Sequence, residues 1–152
     1  EFWVLIQLDP DIEKLGLTKD QVKRGVESSL GPAGITIQSK IESIRTPGSP
    51  ILCVAVGLSP SNTSSHYVFV VEVCVCQHVY LQRDSKSQIN HVITWSVSSF
   101  GMASKSRIDM SMHGTIQGLV DKFLDAYLTA NPKQGELDKT RKEKEANGVE
   151  RD

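Results

Sequence analysis

The stretch from Tyr67 to Arg83 constrains the fold more than any other, because apolar side chains recur at alternate positions for longer than an ordinary strand lasts. Tyr67, Phe69, Val71, Val73, Val75, Val79 and Leu81 fall on one face, and Glu72, Cys74, Cys76, His78 and Tyr80 on the other. A strand of that length needs neighbours on both sides, and the flanking sequence supplies them. Upstream, Ile51 to Leu58 is apolar on both faces, as a central strand would be. Downstream, Asp84 to Asn90 reads as a hydrophilic loop that returns the chain into Val92 to Phe100, where Ile93, Trp95 and Val97 alternate with Thr94, Ser96 and Ser98. Matching the apolar faces sets Val79 opposite Trp95 and His78 opposite Ser96; on the other side, Cys53 comes opposite Cys74.

The N-terminal third supplies a β-α-β unit. Phe2 to Leu8 is a buried strand that runs into the turn Asp9-Pro10-Asp11. Thr18 and Gln21 have the spacing of a capping box, and Leu17 and Val22 that of a hydrophobic staple, so a helix begins at Lys19 and buries Val22, Val26 and Leu30. Gly31-Pro32-Ala33-Gly34 ends it, and Ile35 to Gln38 alternates as a further strand. The connector 39–50 carries a short helical turn around Ile41 and Ile44. After a Gly/Ser-rich loop over 101–107 comes a strong helical stripe from Ile108 through Met112, Ile116 and Phe123 to Leu128, stopped by Asn131-Pro132. The expected fold is α+β: a two-layer sandwich with a five-stranded mixed sheet and two helices on one face, in the order β-α-β-β-β-β-α.

Residues 1–132 are read as a single α+β domain. Residues 133–152 hold six charges of each sign and only Leu137, Ala146 and Val149 to bury, so they read as a charged, disordered tail. The net charge of -1 offers no field to draw phosphate backbones, and no apolar run is long enough to span a bilayer as a helix. Nucleic acid is therefore not an expected partner. The chain opens at Glu1-Phe2-Trp3-Val4, already inside an apolar run and without an initiator Met, which suggests that a natural N-terminus has been removed.

Motifs for chemistry fail on geometry. Cys74, Cys76 and His78 share a strand face, but same-face neighbours lie ~6.5–7 Å apart along a strand, too far to wrap Cys74 and His78 around one zinc. Asp9, Asp11, Glu13 and Asp20 fall in a calcium-loop register that breaks at Lys14, where the sharp turn needs glycine, and they suit turns and helix capping instead. No nucleophile elbow and no phosphate-binding glycine motif occurs, and the four histidines have no nucleophile-base spacing. Asn62-Thr63-Ser64 matches a glycosylation acceptor. No metal, cofactor or catalytic residue is assigned.

The stretch Val26-Glu27 through Leu30, Ala33-Gly34-Ile35 and Pro50-Ile51-Leu52-Cys53-Val54 resembles the N-terminal α/β domain of TolB-like envelope proteins. Trp95-Ser96 followed by Phe123-Leu124-Asp125-Ala126-Tyr127-Leu128 resembles small uncharacterised secreted bacterial domains. That resemblance implies a periplasmic or secreted domain that is not an enzyme and works by contact. The candidate binding face is Glu72, Cys74, Cys76, His78, Tyr80, Thr94 and Ser96, accompanied by Val68 and Val70, which are too apolar to be solvated, so a protein partner or a second copy is expected there. The alternative is a small-molecule-binding or hydrolytic enzyme using the same polar strip, for which a pocket converging on Glu72 and His78 would speak.

Overall fold

The alternating run forms the longest interior strand of a meander. The structure, a computed structural model, describes residues 1–60 and 65–132. Its elements are β1 (Trp3–Leu8), α1 (Pro10–Glu13), α2 (Lys19–Leu30), α3 (Lys40–Arg45), β2 (Ile51–Pro60), β3 (His66–Leu81), β4 (Asp84–Ser104) and α4 (Ile108–Ala130). The strands make one mixed sheet in the order β1-β2-β3-β4, with β1 parallel to β2 and the other pairs antiparallel. The expected charged tail at 133–152 and the Asn62-Thr63-Ser64 triplet lie outside the described residues.

Local signals read from the sequence take effect as expected at the helices. Thr18 caps α2, with its hydroxyl accepting from the Gln21 amide and the Gln21 side chain accepting from the Thr18 amide. Ser39 and Glu42 make the same reciprocal pair at the start of α3, which is the helical turn expected around Ile41 and Ile44. Asp9 caps α1, accepting a 3.0 Å hydrogen bond from the Asp11 amide.

Four expectations are corrected. The sheet has four strands among the described residues, not five, and the element order is β-α-α-α-β-β-β-α. Ile35 to Gln38 contributes only an isolated parallel bridge between Ile37 and Phe2, because the capping box at Ser39 turns the chain into α3 before a ladder can extend. The β3–β4 register is also different: Trp95 lies opposite Val75, and Ser96 opposite Cys74, rather than opposite Val79 and His78. The segment expected as a loop over 84–90 is strand, so the chain reverses tightly between Leu81 and Asp84. On the far side, β4 runs on through Gly101 to Ser104, where a loop was expected.

Both long helices cover one sheet face. Val4, Leu52, Val54, Val56, Phe69, Val71, Val73 and Val75 meet Val22, Val26, Leu30, Met112, Ile116, Val120 and Phe123 in one core. Full burial of such side chains contributes roughly 1.5–3 kcal/mol each, against about 1 kcal/mol for a typical helix cap. Trp95 points into this core and packs edge to face on Phe123, with centroids 5.6 Å apart. Gly101 lies directly opposite Phe69, and a Cβ there would come within 2.5 Å of Phe69 Cζ, so the ring occupies the space that a side chain would take. The opposite face carries no helix layer from α2 or α4, and is called the open face here.

Candidate functional site

The open face follows from strand parity. Trp3 and Leu5 on β1, Ile51, Cys53, Ala55 and Gly57 on β2, Val68 to Cys76 at even positions on β3, and Ser96, Ser98, Phe100 and Met102 on β4 share it through the register. The seven residues expected to form one polar strip do not act as one surface. They fall into two unlike regions, and a third, apolar region of the face holds none of them.

The middle of the face is a thiol cluster. Cys53 and Cys74 are directly opposite, as expected, and all three cysteines are free. The Cys74 and Cys76 sulfurs lie 4.0 Å apart, and Cys53 and Cys74 are buried. Burial pushes the Cys74 thiol up to about 12, with Cys76 and Cys53 adding to the shift. Burial likewise raises the Cys53 thiol. Thiols held protonated are poor nucleophiles and poor metal ligands. Glu72, half-buried, stands beside them between Ala55 and Ser98, and Ser96 is exposed opposite Cys74. Among the described residues no group of three or more His, Cys, Asp or Glu side chains converges on a metal position.

At the β4 C-terminal end the face turns apolar. Val68 pairs with Met102 and Val70 with Phe100. Phe100 is 84% exposed, Met102 69%, Val70 48% and Val68 42%, so the patch is contiguous and wet. Val68 and Val70 were expected there. Phe100 and Met102 were missed, although the alternation Thr94, Ser96, Ser98 continues straight to them once Gly101 is allowed inside the strand.

The other end is irregular. The ladder shifts register between Val75 and Cys76, leaving Thr94 as an extra residue whose hydroxyl donates to the Gln77 side-chain oxygen at 3.0 Å. It shifts again between Gln77 and Val79: these pair with Val92 and Ile89, so His78 faces both Asn90 and His91. The His78 and His91 rings meet with centroids 5.2 Å apart. Tyr80 is exposed beyond the bulge, its hydroxyl 3.5 Å from the Gln88 side-chain oxygen. Helix α3 flanks this end, and a groove of about 450 Å³ opens between it and the sheet, with Trp3, Leu5 and Ile51 as floor and His78 and His91 on one wall. Lys40 lies over the Trp3 ring at 5.6 Å. The groove takes in His78 but not Glu72. His91, Asn90, Trp3 and Lys40 carried no sequence signal, because a bulge and a distant helix bring them together.

Comparisons with known proteins add little. No family model matches the chain, and no curated protein matches it. Among solved structures it is similar to a minor lipoprotein from Acinetobacter baumannii, at 8% identity over 81% of this chain and 87% of that one, with a TM-score of 0.37. A likeness of that size carries no argument about role.

Proposed function

We propose that this is a non-catalytic binding or assembly domain of the bacterial cell envelope or periplasm, and that it meets its partner through the apolar end of the open face. The envelope setting rests on the resemblance in apolar spacing to TolB-like and small secreted domains; the binding role rests on the surface itself. The observation that carries it is the quartet Val68, Val70, Phe100 and Met102, two direct cross-strand apolar pairs left in water. Contiguous exposed apolar area of this kind marks interaction surfaces.

The adjoining edge points to a second copy. β4 is an edge strand, and from Val92 to Ser104 it carries no charged residue and no proline, the usual devices that stop strands from pairing edge to edge. An antiparallel pairing of β4 with its copy would bring no like charges together over that stretch. Light scattering coupled to size exclusion tests this. The expected result is a concentration-dependent dimer that reverts to monomer when Phe100 and Met102 are both changed to Ser. A wild-type chain that stays monomeric at its highest soluble concentration overturns the self-assembly form of the reading.

A further inference from the structure

We propose that His78 and His91 form a binding site for a divalent transition-metal ion of the zinc and copper class, with water completing its coordination. The site lies roughly 25 Å along β3 from Val70, so it is independent of the apolar surface.

Three observations converge on it. The first is spacing. Two imidazoles on one tetrahedral zinc, each nitrogen about 2.0–2.1 Å from the ion, place their ring centroids about 5 Å apart. The separation found is 5.2 Å, with the planes at 89°. Rotation of one ring about its soft χ2 torsion turns a nitrogen of each toward a common point.

The second is the backbone. His91 sits at φ 55, in the left-handed region, within a bulge where two residues of β4 oppose one of β3. Glycine fills such a position without strain, and bulges re-aim side chains next to sites. Edge-to-face packing accounts for the ring distance but gives no reason to hold a histidine there. Without the earlier shift at Thr94, the register that sets Val75 opposite Trp95 would run on to place His91 opposite Val79, on the other side of the ladder.

The third is the surroundings. The His78 amide donates to the Gly48 carbonyl at 2.7 Å, which ties β3 to the loop after α3 at the point where its ladder with β4 is interrupted. That loop includes Gly48 at φ 77 and Ser49 at φ 43, and Ser49 lines the same groove as the two histidines. The groove is walled but open to an ion, and Asn90 lines it as a further oxygen donor. Imidazole ligands select zinc, copper and nickel over calcium and magnesium, and copper should bind most tightly among the divalent ions.

The untagged full chain is titrated with Zn²⁺ against a chromogenic chelator, and Co²⁺ absorption is recorded in parallel. The expected result is one saturable Zn²⁺ per chain, weakened at least tenfold by His78→Gln and by His91→Gly. The Cys53→Ser/Cys76→Ser variant should leave the affinity unchanged, and the Co²⁺ complex should show no thiolate charge-transfer band. His91→Gly suits the left-handed backbone, so its loss of binding is not a loss of fold, which circular dichroism checks. Absence of saturable Zn²⁺ binding, retention of wild-type affinity in His91→Gly, or a thiolate band in the Co²⁺ spectrum would each overturn the proposal.

Discussion

Near Val70, β3 and β4 run in strict register, each open-face side chain directly opposite another: Val68 and Met102, Val70 and Phe100, Glu72 and Ser98. Near His78 the same two strands slip three times between Val75 and Leu81, and the side chains that meet are set by bulges and by a left-handed backbone. The regular end is flat and apolar, which suits another protein surface; the irregular end is concave, with an apolar floor and the polar side chains of His78, Asn90 and His91 at its wall, which suits a smaller ligand. One pair of strands thus carries two kinds of surface, and regularity of the ladder decides which.

The largest effect should come from disturbing the regular end at its tightest point. In Gly101→Ala the new methyl meets a Phe69 ring that is 3% exposed and packed in the core, so the ring has to move against close-packed neighbours. Overpacking of this kind costs about 1–3 kcal/mol. Urea denaturation should show the midpoint falling with an unchanged slope. An unaltered midpoint would mean that the β3–β4 register near Phe69 is looser than a direct pair requires.

What the sequence disclosed follows the same division. Alternation and capping are local, so α2, α3, the inward Trp95 and the Cys53–Cys74 pairing were legible, as was the covering of one face by two helices. Gly101 read as loop because its role is filled by a ring from the neighbouring strand, and Met102 was lost with it; Phe100 lay inside the expected strand but was not assigned to the face. Ile35 to Gln38 has the pattern of a strand but is cut short by Ser39 two positions after its one bridge. Of the candidate face, Glu72, Cys74, Cys76 and Ser96 sit on the open side, but His78 found its partner in His91 rather than in the polar strip. A bulge inserts a residue without any signature in periodicity, so no reading by parity reaches past it.

The thiol cluster lies between the two ends and offers a smaller effect. A thiol in the unfolded chain titrates near 9.0, and Cys74 is held up to about 12 in the fold, chiefly by burial. Between those values the folded chain keeps a proton that the unfolded chain has lost, so stability falls as pH rises from 9.0 through about 12. Urea midpoints at about pH 8 and about pH 10.5 should differ more for the wild type than for Cys74→Ala, because the variant removes this linked proton. Equal pH slopes in the two chains would place the sulfur in contact with water and detach the cluster from the packed part of the face.

The smallest and most discriminating effect belongs to His91. A non-glycine residue in the left-handed region costs roughly 1–2 kcal/mol, and glycine gives back part of that through its greater freedom in the unfolded chain. His91→Gly should therefore leave stability unchanged or raise it by up to about 1 kcal/mol, although it deletes a ring packed against His78. That sign is opposite to the expected loss at Gly101, and the opposition is informative. At the regular end a glycine is kept because the fold needs the space; at the irregular end a histidine is kept where the backbone would be easier with glycine. If denaturation shows His91→Gly to be destabilised by more than about 1 kcal/mol, the imidazole is a packing element of the bulge, and strain at that position no longer argues for a ligand.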